Sequence, residues 1–444
     1  MLPAKTLREA YQATDPRPLP SGDPYFVDLS KARDSRATEH LRRMIENCDS
    51  GHYSAIAFSG HRGSGKSTEL RQLQAALGKS CFILYLDVNE FLDAADVDYT
   101  DLFLLLSRRL LDELREQHVS LSPGLLSAVE GWFKSVTKED EESLTLSAGV
   151  STEASAGVEI PFIAKLLAKL TADVKSGSSR KKTTREELDR YFSGLLANTN
   201  TLLADASKAL RDAGRADQIL ILADNLDRLP PEKSETLFFS HGSQLQELGC
   251  HAVYTVSIDT FYSRRNLGNV FSRHVFLPNI KLRLGRDQPG HNPDGFQGLT
   301  EVIGRRVDVA SLLNPRELAE ELVRWSGGSV RQLVRLLGEA VLSAQARGLS
   351  AIDATAVGDA ARSLRNDFSR ILAPEDYKLL AEAHTSRAIE KNEAYMQLLS
   401  NTAVMEYNGG EVWYDVNPLI EPIDAFQALT NKPRSGTAKR RRSR

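Results

Sequence analysis

FSGHRGSGKSTEL, residues 58–70, sets Gly60, Gly65, Lys66 and Ser67 at the spacing G-x-x-x-x-G-K-S. That spacing belongs to loops that cradle phosphate, and it carries weight only when a strand leads in and a helix leads out. Both flanks are present. SAIAFSG, residues 54–60, is a short apolar run ending in glycine, and STELRQLQAAL, residues 67–77, holds Leu70, Leu73 and Leu77 at helical spacing. Glycines let backbone N–H groups turn inward without a Cβ clash, and the helix N-terminus adds a positive dipole. Lys66 is spaced to reach the β- and γ-phosphates of a nucleoside triphosphate, and Ser67 to ligate Mg²⁺. Gly60, Arg62, Gly63, Ser64, Gly65, Lys66, Ser67 and Thr68 are therefore the candidate contacts for ATP and its metal ion.

A second strand should bring an acid to that metal. In QILILADNLDRLPPE, residues 218–232, the apolar run Ile219–Ala223 ends in Asp224. A continuous apolar run closing on a carboxylate describes a central parallel strand whose C-terminal end faces the ligand. Asp224 is the candidate Mg²⁺ partner, through water; a helix N-cap is the plainer alternative. Asp227, three residues on, is placed to polarise the attacking water or simply to pair with Arg228.

A strand ending D-x-L-D-R, paired with an upstream G-x-x-x-x-G-K-S loop, resembles the AAA+-related STAND signal-transduction ATPases and their KAP relatives. The resemblance implies an α/β fold: a P-loop NTPase parallel sheet with an AAA+-like core, followed by a helical lid and a C-terminal winged helix. It also implies an ATPase. AAA+ enzymes usually place Glu after the metal Asp; Asn225 stands there, which fits a slowly turning nucleotide switch better than a motor. Further roles come from the same resemblance. The strand HAVYTVSID, residues 251–259, should end in a polar sensor, Ser257 or Thr255. The turn SGGS, residues 326–329, resembles that of an origin-initiator lid and should carry Arg331 into the nucleotide pocket. Arg273, just before the strand HVFLPNIKL (274–282), sits where a trans-acting arginine finger is found, with Arg264 and Arg265 as rivals. In the N-terminal linker Tyr25 and Phe26 are candidates for the adenine contact, or for ordinary packing.

Composition narrows the rest. The chain has 444 residues, enough for two or three domains, and a net charge of −3, so no global field marks a nucleic-acid or membrane binder. Cys48, Cys81 and Cys250 form no C-x-x-C pair, which argues against a zinc or disulfide framework. No run approaches the roughly 18 apolar residues of a membrane span, and the N-terminus lacks an apolar signal core, so a cytoplasmic location is expected.

The expected organisation is a linker over 1–52, an ATPase core over 53–285 with an insertion at about 119–200, a lid over 296–350, a winged-helix-like unit over 351–424 and a basic disordered tail over 425–444. The core's second strand is SCFILYLDV, residues 80–88. The insertion holds a stretch patterned like a β-hairpin or a loose extension, residues 143–162, and a basic amphipathic helix striped by Ile163, Leu166, Leu167 and Leu170. That helix suits a neighbouring domain or subunit better than a membrane surface. In the last unit, helices near 353–370, 374–386 and 391–400 precede TAVMEYNGGEVWYDV, residues 402–416, where NGG signals a hairpin. Three functions follow: a switch ATPase assembling with itself or with a separate effector protein, in the manner of STAND ATPases of bacterial antiphage defence; a DNA-binding ATPase of initiator or transposon-targeting type; or a scaffold that holds nucleotide without turnover. YNGGEVWYD carries acids and no Lys or Arg, which makes it a poor DNA reader.

Overall fold

The computed structural model describes residues 3–49, 51–137, 162–176, 179–288, 290–408 and 410–430. All but the last residue of the stretch 143–162, and the basic stretch 431–444, lie outside the described residues.

Five strands form one parallel sheet: β1 (Ala55–Gly60), β2 (Cys81–Asp87), β3 (Gln218–Asp224), β4 (His251–Val256) and β5 (Arg273–Leu277), in the order β2-β3-β4-β1-β5. β3 shows how the chain specifies it. Successive side chains of a strand point to opposite faces. Ile219, Ile221 and Ala223 enter one apolar core, while Leu220 and Leu222 enter another. A strand covered on both faces needs an unbroken apolar run, which β3 and β4 supply. On one side the helices Ala37–Glu46 and Lys66–Leu77 bring Leu41, Ile45, Leu70 and Leu73. On the other, Tyr99–Glu116 and Phe192–Asp212 bring Phe103, Leu106, Leu203 and Ala206. β5 is shorter than the expected 274–282, because Pro278 has no N–H for the ladder.

The register aligns the strand ends. Asp87 pairs with Asp224, Ser59 with Val256 and Gly60 with Leu277, so the C-terminal ends of all five strands open on one edge. Ligands of open parallel sheets bind at that edge.

The helices Pro123–Thr137, Phe162–Ser176 and Ser179–Arg190 fold onto the core rather than away from it. The stripe Ile163, Leu166, Leu167 and Leu170 is buried in the same apolar cluster as Phe103 and Leu106. It is thus used within the chain, so of the two expected partners, a neighbouring domain or a subunit, the packing is intramolecular. Arg185 binds Asp101 and Asp96, and Lys181 and Lys233 also bind Asp96, which pins this layer near the turn that follows β3. Among the described residues no helix is long and apolar enough to cross a membrane.

Beyond the sheet, Pro293–Arg306, Leu318–Ser326 and Val330–Ala346 share a second large core with the N-terminal helix Leu7–Ala13 and with Ala354–Ile371, Asp376–Ser386 and Glu393–Ser400. An antiparallel hairpin follows, β6 (Val404–Asn408) and β7 (Val412–Val416). The disordered tail was expected from residue 425; Asp424–Thr430 is instead a helix anchored by buried Phe426.

Candidate functional site: a cationic cleft at the strand ends

The phosphate loop leaves β1 at Gly60 and enters its helix at Lys66. Gly63 has φ 86°, and a Cβ there would come 2.6 Å from the Cβ of Arg331. No other residue fits, since the start of the lid helix Val330–Ala346 rests directly on the loop. The lid turn is equally constrained. Gly328 has φ 87°, and a Cβ would strike the Ile280 carbonyl at 1.9 Å.

Lys66 is buried, and its ammonium donates to the Gly60 carbonyl at 2.7 Å and the His61 carbonyl at 3.1 Å, and pairs with Asp227 at 2.9 Å. Its three donors are thereby used. Burial works to raise the Asp227 carboxyl, but the Lys66 charge overrides it and holds the group below the usual carboxylate range. Asp227 was expected to orient water or to pair with Arg228; in this structure Lys66 is its partner.

Asp224 accepts from the Tyr85 hydroxyl at 2.6 Å and from the Asn225 N–H at 2.8 Å, and the Ser67 hydroxyl bonds the same carboxylate. Burial raises this carboxyl above its ordinary range, against those three bonds. A buried acid of that kind gains most from a cation. Among the described residues no cluster of three or more His, Cys, Asp or Glu holds a metal alone. Ser67 and Asp224 nonetheless supply two hard oxygens at one point, which fits Mg²⁺ completed by phosphate and water. Asn225 sits at φ 66°, a left-handed conformation, and its side-chain amide donates to Asp87 at 2.8 Å. Thr255 accepts from the Leu226 N–H at 3.0 Å and so steadies this turn rather than facing the cleft.

The cleft itself is a cavity of about 520 Å³, within the range of ligand pockets. Among the described residues six cationic side chains line it, Arg17, Arg62, Lys66, Arg228, Arg306 and Arg331, against one carboxylate, Asp227. Partial desolvation, and then the charge of Arg228, hold the Arg331 guanidinium below its usual range, with Asp227 opposing. Such crowding favours an anionic ligand. Pro16, Pro18 and Leu19 from the linker and Val330 and Val334 from the lid make the apolar wall. Tyr25 and Phe26 are not part of it. The Tyr25 ring instead lies 5.2 Å from the Arg306 guanidinium.

Two expected residues stand outside the main cleft. Ser257 lines an adjoining cavity of about 450 Å³ with Arg62, Asp227 and Arg228, but it is the N-cap of Ile258–Phe261, and its hydroxyl donates to Thr260 at 2.9 Å. Arg273 opens β5, at the end of the sheet away from the loop, and its guanidinium donates to the Met44 carbonyl at 3.1 Å and to the Ser54 hydroxyl. An arginine finger must offer its guanidinium to a neighbour; Nη1 of this one is engaged within its own chain. Arg264 and Arg265 are the exposed arginines nearby.

Sequence reasoning missed the tie to the C-terminal hairpin. His61, inside the phosphate loop, is buried and accepts from the Glu406 N–H of β6 at 2.8 Å. Burial, and then Lys66, push its pKa down to about 3, so the ring is neutral and able to accept. The Tyr407 hydroxyl donates to the Gly327 carbonyl of the lid turn at 2.6 Å. The hairpin is therefore packed against loop and lid, not held out in solvent.

Sheet, loop and cleft define a P-loop NTPase fold with an AAA+-like core. Residues 35–240 match the KAP family P-loop domain. Among solved structures, the chain is similar to the Walker-type ATPase PABY2304 of Pyrococcus abyssi, at 13% identity over 94% of this chain and 99% of that one, with a TM-score of 0.41. It is also similar to the Aeropyrum pernix ORC1 protein, solved in complex with DNA, at 13% identity over 96% of each chain and a TM-score of 0.38. The Thermotoga maritima RuvB Holliday junction branch migration motor matches at 13% identity over 90% of this chain and 95% of its own, with a TM-score of 0.34. No curated protein matches the chain.

Proposed function

We propose that the cleft binds ATP with Mg²⁺ and that the chain is a slowly hydrolysing switch ATPase. The observation that carries this reading is the state of Lys66. It is bonded to two loop carbonyls and to Asp227, in a loop whose His61 seats the C-terminal hairpin. An incoming phosphate competes for Lys66, frees Asp227 and bears on a loop that the hairpin grips. Ser67 and Asp224 hold the metal ion, Arg62, Arg228 and Arg331 neutralise phosphate charge, and the linker and lid valines face the base. Bound Mg²⁺ supplies charge stabilisation at the phosphates. The initial engagement of Asp227 by Lys66 favours slow turnover. The freed hairpin and lid offer a surface to a second copy or to a separate effector.

Thermal unfolding tests the reading. A ligand at 100 times its Kd stabilises the native state by about 2.7 kcal/mol. ATP with Mg²⁺ should raise the melting temperature of the wild type and leave Lys66→Ala unmoved. Equal shifts in both proteins would refute it.

A further inference from the structure

We propose that Arg33, in the linker helix Ser30–Arg33, is a positioning residue for nucleotide phosphate: it clamps the outer side of the phosphate loop, aims the Gly65 N–H into the cleft and stands as a cation behind it. The inference rests on the ATP-binding reading above. Arg33 is 3% exposed. Its Nη2 donates to the Ser64 carbonyl at 2.5 Å and its Nη1 to the Pro278 carbonyl at 2.6 Å, while Nε has no hydrogen-bond partner. Among the described residues no carboxylate lies within ion-pair distance of it. The charge of Glu69 only partly offsets the effect of burial, which lowers the guanidinium pKa.

Burying a cation without a counter-ion is costly, so the arrangement calls for a reason. The peptide plane supplies the first. A trans peptide points its C=O and N–H in opposite directions, and the bond between Ser64 and Gly65 is trans. Fixing the Ser64 carbonyl on Arg33 therefore turns the Gly65 N–H the other way. Gly65 lines the cleft and Arg33 does not. The second reason is charge: the missing counter-ion of Arg33 is the phosphate on the far side of the loop. The Pro278 carbonyl lies between β5 and the lid, so the same guanidinium also holds the loop to the lid's root.

Binding of ATP and of tripolyphosphate, measured by calorimetry on the full chain well below the melting temperature, tests this. Losing a bond to a charged group predicts that Arg33→Gln binds both ligands about 10- to 100-fold more weakly. The loss should be the same for both, because it falls on the phosphates. Arg33→Lys keeps the charge but not the fork, so it should show a smaller loss; it also decides the matter if Arg33→Gln does not fold. A residue that only stabilises the fold would lower the melting temperature and leave both affinities intact, and that result overturns the proposal. A wild type that binds neither ligand overturns the ATP-binding reading instead.

Discussion

Replacing Asp227 by Asn should tighten ATP binding while slowing hydrolysis. Among the described residues that line the cleft, Asp227 is the one carboxylate beside six cations, and it holds Lys66 at 2.9 Å. Two effects add. In the free protein, Asp227→Asn leaves Lys66 buried without its counter-ion, which destabilises that state. In the complex, it removes a negative charge beside the phosphates. At an effective dielectric constant near 20 and about 5–6 Å, one such repulsion is worth about 3 kcal/mol. Screening by Arg62, Arg228 and the metal reduces this to about 1–2 kcal/mol, or roughly 5- to 30-fold in Kd. Loss of a carboxylate that orients or deprotonates water costs about 10²- to 10⁴-fold in rate. Calorimetry with ATP and single-turnover hydrolysis read the two effects separately. Thermal unfolding should show a lower melting temperature without nucleotide and a larger shift with it. If Asp227→Asn binds ATP more weakly than the wild type and melts at the same temperature alone, the carboxylate is not the competitor of phosphate that its pairing implies.

Asn225→Glu should lose stability and gain no hydrolysis: a left-handed residue other than Asn or Gly costs roughly 1 kcal/mol, and the bond to Asp87 becomes a carboxylate repulsion. A denaturant midpoint unchanged from wild type, or turnover at motor-like rates, would contradict this. Glu406 governs a pH dependence. Burial, opposed by the Tyr262 and Tyr414 hydroxyls and by Lys391, pushes its pKa from 4.5 up to about 7. An acid raised in the folded state stabilises the fold below about pH 4.5 and loses that contribution as pH climbs through about 7. Glu406→Gln, which mimics the protonated acid, should therefore gain up to about 3 kcal/mol over the wild type at pH 8 and nothing at pH 4.5; a gain that is the same at both pH values would disprove the link.

The sheet was legible because its evidence is local. An apolar run, a glycine loop and a leucine-spaced helix lie within two dozen residues, and the alternating faces of β3 follow from period two alone. Asp224 was readable as a strand end for the same reason. The geometry of Asn225 was not, since the residue type permits but does not announce a positive φ. Ser257 shows what a sequence leaves open: a serine at a strand end can cap the next helix and also line a cavity beside the site, and here it does both. Arg273 was placed by its distance from β5, whereas the direction of its side chain is decided by Met44 and Ser54, more than 200 residues earlier. The same holds for Arg33 on the loop, for Pro16–Leu19 on the cleft wall and for Glu406 on His61. No local pattern encodes those pairings, because only the folded topology brings the partners together.

The strand order has a consequence for anyone who divides this chain. β1, which delivers the phosphate loop, is bordered by β4 and β5, and both come after residue 240. A fragment ending there keeps β2 and β3 as a pair but leaves β1 with neither neighbour. Six residues of apolar strand would then present two bare edges, a template for joining other copies edge to edge. The stretch that announces nucleotide binding and the shortest length of chain able to fold around a nucleotide are therefore not the same, and a fragment cut at residue 240 should aggregate before it binds anything.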